Sequence, residues 1–161
     1  MSAGNAEVLL VDGYNAIHCT PGLKAALERR GPQAAREALL AQLNARYRGT
    51  PYRVIVVFDG DGDVETTETP RRSPCRIVYT RHDESADAAI ARMAARERAA
   101  GRSLCVITDD HAVRGAVADV GGRHTAVGEH HRQLNAPDRN RRKLAQTRAY
   151  IRRKLDGKAV E

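Results

Sequence analysis

Four short apolar runs, three of them stopping at an aspartate, constrain this chain more than anything else in it. Glu7 to Val11 ends at Asp12, and Arg53 to Phe58 ends at Asp59. Ser103 to Ile107 passes through Thr108 to Asp109 and Asp110, while the weakest run, Arg76 to Tyr79, meets Thr80. The apolar residues are continuous rather than alternating, as in strands covered on both faces of a parallel sheet. Arg123 to Val127 is a candidate fifth strand. Helical patterns fill the intervals. Pro32 to Arg48 places Ala35, Leu39, Leu40 and Leu43 at helical spacing, with Pro32 suited to a first turn. Ser85 to Ala100 has an N-cap in Ser85 and a stop in Gly101, and Asp110 to Val120 ends at a glycine pair. Strands alternating with helices predict an α/β fold with three layers, α/β/α, around a central parallel sheet.

The remaining stretches are polar. Asp61 to Pro74 is predicted as an exposed loop. Gly128 to Pro137 is predicted as a second loop, leading to a last helix from Asp138 to Asp156. In that helix Leu144, Ile151 and Leu155 can share one face. A length of 161 residues suits one main domain. We place it at residues 1–130, with 131–161 a basic helical segment packed on it or extending from it. The net charge of +7 is concentrated there: ten of the 27 basic residues but only three of the 20 acids lie from Arg132 onward, and the rest of the chain balances. A localised basic element suits a polyanion, of which nucleic acid is the commonest; the bland alternative is a solvated helix that aids solubility. No apolar run approaches the roughly 20 residues of a membrane span. The first residues lack a basic stretch followed by an apolar one, so no signal peptide is expected and a cytoplasmic location is. Cys19, Cys75 and Cys105 are odd in number and form no Cys-x-x-Cys pair, which argues against a disulfide framework or a zinc ribbon.

The strand-end acids carry the chemistry. In a parallel α/β sheet the carboxyl ends of the strands share one edge, where ligands bind. Asp12, Asp59 and Asp109 are therefore expected to converge, and Asp87, in the first turn of the Ser85 helix, faces the same edge. Crowded carboxylates resist ionising together, and a divalent cation resolves the repulsion. Oxygen ligands suit Mg2+ or Mn2+ rather than zinc. A single aspartate after a strand can equally cap a helix, as Asp110 can; the joint pattern is what points to a site.

Taken in order, these segments resemble a known family. Val11 to His18, which contains Asp12, Gly13, Tyr14 and Asn15, is similar to the opening motif of the YacP-like NYN domains, which belong to the PIN-like nucleases. Val56 to Gly60 resembles their second motif, Tyr79-Thr80 followed by Glu84 to Ile90 the third, and Val106 to Asp110 the fourth. Four motifs in order over most of residues 7 to 127 are specific where one would be weak. The resemblance implies a PIN-like fold and metal-dependent endoribonuclease activity, with ribosome-associated mRNA as a candidate substrate. It also implies metal-binding roles for Asp12, Asp87 and Asp109, a polar contact from Asn15 to a ligand or phosphate, and an acidic role for Asp59. Asp110 is an additional acid, counted with the metal set. The chain departs from the pattern at Ala88-Ala89, where many relatives carry charged residues. Tyr14 is a candidate for stacking on a base of single-stranded RNA, against the alternative of packing on the adjacent helix. Arg141, Arg142, Arg148, Arg152 and Arg153 are candidate phosphate contacts. His18, His130 and His131 are not expected to ligate metal.

Rival readings are weaker. Asp59, Asp61 and Asp63, separated by glycines, look like the Asp-x-Asp of haloacid-dehalogenase-type phosphatases, but a complete strand-aspartate unit precedes them. As a calcium loop they lack the central glycine and the final glutamate, at Val64 and Pro70. No phosphate-cradling Gly-Lys-Ser/Thr loop is present. The standing alternative is a non-catalytic RNA- or ribosome-binding module with the same fold.

Overall fold

The computed structural model describes residues 7–135 and 149–155. The chain runs β1 (Val8–Asp12), α1 (Gly13–Cys19), α2 (Pro21–Arg30), α3 (Pro32–Tyr47), β2 (Arg53–Gly62), β3 (Thr66–Glu68), β4 (Cys75–Arg81), α4 (Ala86–Ala99), β5 (Leu104–Ile107), α5 (His111–Asp119), β6 (Arg123–Thr125) and α6 (Val127–Asn135). The strands form one sheet in the order β3-β4-β2-β1-β5-β6. All pairings are parallel except that of β3 with β4.

Burial explains the order. Every residue of β1 is buried, so it needs neighbours on both edges and a layer on both faces. Leu9, Val11, Val54, Val56, Phe58 and Ile77 form a core with α1, α2, α3 and Val127 of α6. Val8, Leu10, Val57, Val78 and Val106 pack on α4 and α5 across the other face. The result is the expected three-layer α/β/α arrangement. Each such aliphatic side chain taken from water contributes about 1.5–3 kcal/mol. Ser85 caps α4 by accepting from the Ala88 amide, and Gly101 beyond its end adopts φ +77°. Among the described residues no helix is long and apolar enough to cross a membrane.

Three expectations are corrected. First, β2 does not stop at Asp59: it continues to Gly62, and its register against β4 shifts between Phe58 and Gly62. Gly60 makes this possible, because a Cβ there would lie 2.0 Å from the Thr80 carbonyl oxygen. Second, Asp61 to Pro74 is not all loop, since β3 pairs with β4. All three β3 residues are exposed, so no apolar alternation announces the strand. Third, Gly128 to Pro137 is not a loop as far as Asn135: it is α6, running across the boundary drawn at residue 130. Its apolar content is only Val127 and half-buried Leu134, and the remaining buried residue is His130, a weak helical signal. Residues 149–155 are helical and exposed throughout, with Ile151 and Leu155 at 50% and 62% exposure. Leu144 and the rest of the expected last helix lie outside the described residues.

Candidate active site

The carboxyl ends of β1, β2 and β5 share one edge of the sheet, and the N-termini of α4 and α5 open onto it. Asp12 ends β1 on the α4 side, 6% exposed, and its Oδ2 accepts a hydrogen bond from Thr108 Oγ1 at 3.2 Å. Burial, then the charge of Asp87, push its carboxyl up to about 6 against the pull of Thr108 and the Asn15 backbone; Asp59 adds to the rise. Asp87 stands in the first turn of α4. Although it is exposed, desolvation together with Asp110 and Asp59 pushes it up, and a hydrogen bond from Asp12 holds it down. The two carboxyl groups thus disfavour each other's ionisation. Four acids, Asp12, Asp59, Asp87 and Asp110, lie in one another's field.

Each of the other acids is also tied to the backbone. Asp59 Oδ1 accepts from the Ala86 amide at 2.7 Å, bracing β2 against the start of α4 and so fixing where Asp87 stands. Asp110 caps α5, accepting from Val113 at 3.0 Å. Asp109 is engaged through one carboxylate oxygen. Its Oδ1 accepts from the Val127 amide at 2.9 Å and from Arg114 at 3.4 Å, so it anchors the start of α6. Asn15 Oδ1 accepts from the Asp109 amide at 2.8 Å, joining α1 to the end of β5. Among the described residues, no three His, Cys, Asp or Glu side chains stand at metal-ligating geometry.

The sequence expects Asp12, Asp59 and Asp109 to converge with Asp87; in the structure Asp87 and Asp59 act on Asp12, Asp110 and Asp59 act on Asp87, and Asp109 Oδ1 is engaged by Val127 and Arg114. The sequence does not single out Thr108, which holds Asp12 and also accepts from the Asp110 amide at 3.1 Å. A hydroxyl directly after a strand and before two acids is the available signal. Nor does it single out Arg114, one helical turn beyond Asp110, or Cys19, whose exposed thiol is pushed up by burial and by its hydrogen bond to Asp109. Tyr14 packs edge-on against Phe58 at 4.9 Å, and its hydroxyl accepts from Arg36 at 3.0 Å. Gly13 permits that packing, since a Cβ there would come within 2.3 Å of the Phe58 ring. His130 is buried, stacks on Tyr47 and hydrogen-bonds its hydroxyl at 2.8 Å. Asp61 and Asp63 are exposed beyond the group. Arg152 and Arg153 are exposed, whereas Arg141, Arg142 and Arg148 lie outside the described residues.

Comparison with known proteins gives consistent matches. The YacP-like NYN domain family matches residues 9–161. "Uncharacterized protein YacP" of Bacillus subtilis (strain 168) is 30% identical over 135 residues, which is 83% of this chain and 78% of the relative. Two crystal structures of Rae1 (YacP) from Bacillus subtilis, one of a mutant, align with a TM-score of 0.67 at 28% identity. They cover 94% and 95% of this chain and 84% and 86% of their own.

Proposed function

This chain belongs to the YacP-like NYN domain family, and from that premise we propose that it is a divalent-metal-dependent endoribonuclease acting on single-stranded RNA. The observation that carries the proposal is the buried carboxyl of Asp12 set against Asp87, with Asp59 and Asp110 in the same field. Such an arrangement costs stability unless a cation or a catalytic need maintains it. The donors are all carboxylate oxygens, a set that fits Mg2+ or Mn2+. Asp12, Asp87, Asp109 and Asp110 would hold the ion. When bound, it supplies acidity to an attacking water and neutralises charge on the scissile phosphate.

The chain's own residues do the positioning. Thr108 fixes the Asp12 carboxyl, and Asn15 fixes the backbone at Asp109. Asp59 holds the start of α4, so that Asp87 faces the edge. Tyr14, packed on Phe58, offers a half-buried ring for a base. Arg152 and Arg153, with Arg141, Arg142 and Arg148, offer phosphate contacts. The expected products carry a 5′-phosphate and a 3′-hydroxyl. The family resemblance extends the proposal to mRNA on the ribosome and to a cytoplasmic location.

The test is cleavage of an end-labelled single-stranded RNA by purified protein. Cleavage in Mn2+ or Mg2+ that stops with chelator and is lost in Asp12→Asn and Asp87→Asn supports the proposal. RNA binding without cleavage under every metal condition would replace it with the non-catalytic module.

A further inference from the structure

Across the sheet edge from the acids lies a second group of side chains that the acidic centre does not use. Phe58, wholly buried, precedes Asp59 and forms its floor. Tyr79 on β4 stacks on Phe58 at 5.8 Å, and Tyr14 meets the same ring edge-on. Arg36, from α3, places its guanidinium 6.0 Å from the centres of both the Phe58 and Tyr79 rings. It donates to the Tyr14 hydroxyl at 3.0 Å, and its charge holds the Tyr79 hydroxyl down against the effect of burial. Arg36, Tyr14 and Tyr79 are all half-buried, so the group is held in place yet open at its outer side.

Charge distinguishes this group from ordinary packing. Among the described residues no carboxylate forms an ion pair with Arg36; Arg98, likewise without one, bonds backbone carbonyls, whereas Arg36 meets a tyrosine hydroxyl and two ring faces. Glu68 on β3 acts on the Tyr79 hydroxyl. A half-buried guanidinium loses hydration, and aromatic rings offset only part of that loss. An anion arriving from solvent would complete it, and the flanking rings suit a base. One residue separates Tyr14 from Asp12, and Phe58 adjoins Asp59. The two groups thus lie on opposite faces at the same carboxyl end of β1 and β2, so an RNA strand that crosses this edge from the acids meets the second group.

We propose that Arg36, Tyr14 and Tyr79 form a nucleotide subsite, in which Arg36 binds a phosphate next to the scissile one and the tyrosine rings stack on its base. The proposal rests on the endoribonuclease reading for its substrate class, but its test needs no catalysis. The affinity of a fluorescent single-stranded oligoribonucleotide is measured by anisotropy in chelator, across a salt series. Arg36→Gln is expected to weaken binding about tenfold and to reduce the salt slope by roughly 0.7, the value for one phosphate neutralised on a single strand. Tyr79→Leu should weaken binding by a similar factor and leave the slope unchanged. Arg36→Lys keeps the charge and should keep the slope, which separates removal of the phosphate partner from unfolding. Wild-type affinity and slope in both Arg36→Gln and Tyr79→Leu would overturn the subsite, even if the protein cleaves RNA. The expected losses in a protein that never cleaves would uphold the subsite and sink the nuclease reading instead.

Discussion

Asp12 is buried at the end of β1 and faces Asp87, so its charged form is disfavoured twice over. Its carboxyl is pushed from 3.8 to about 6, so the folded protein holds a proton that the unfolded chain has released. Stability from this group is therefore present below pH 3.8 and lost as pH rises through about 6. At neutral pH in chelator the cost is about 3 kcal/mol. Asp12→Asn keeps an oxygen for Thr108 and removes the charge. It should raise stability at neutral pH by up to that amount, and urea unfolding in chelator at pH 4 and pH 7 checks it. A destabilised Asp12→Asn, or one with an unchanged pH profile, would contradict this account of the residue. At this scale the sequence is legible where an acid ends a strand, as at Asp12, or can cap a helix, as at Asp110. It is not legible for Thr108, Arg36 or Arg114, whose roles depend on rotamers and on neighbours far away in the chain.

At the scale of elements, α6 is the instructive case. A helix whose buried face consists of Val127, His130 and part of Leu134 has little apolar signal, and its sequence reads as a loop. Tertiary contacts form it: Asp109 receives the Val127 amide, and His130 stacks on Tyr47 of α3. Burial, then Arg46 and His131, push His130 down to about 4, so the fold keeps it neutral. Stability from this group is present above pH 6.5 and lost as pH falls through about 4, opposite in direction to Asp12. In the wild type the two slopes oppose each other between pH 4 and 6. Asp12→Asn should unmask a stability that climbs with pH over that range. Tyr47→Phe removes the hydroxyl partner of a buried ring nitrogen and should cost about 1–3 kcal/mol at neutral pH. Hydrogen exchange of the α6 amides locates the loss: faster exchange confined to α3 and α4 would refute the assignment. The strands β1, β2, β4 and β5 are legible because continuous apolar runs of that length have few other uses. The exposed edge strand β3 is not, because its only requirement is backbone pairing.

For the whole molecule, alternation of strand and helix is enough to foretell three layers and the edge where the acids meet. It cannot foretell that Asp109 Oδ1 accepts from both the Val127 amide and Arg114. Charge is distributed on the same scale: the excess lies from Arg132 onward in the sequence, apart from the acids of the sheet edge. Reversing Arg141, Arg148 and Arg152 to Glu should weaken RNA binding and flatten its salt slope by roughly 0.7 for each phosphate no longer neutralised. Cleavage at saturating RNA should survive, and an unchanged slope would reduce the segment to a solvated cover. The central claim, however, is that the acids around Asp12 form a divalent-cation site, and titration calorimetry of the metal-free protein with Mn2+ tests it most directly. The account predicts saturable Mn2+ binding to the wild type that is lost in Asp12→Asn and in Asp87→Asn, although Asp12→Asn is the more stable protein. No saturable binding at millimolar Mn2+, or binding that survives both substitutions, would contradict it.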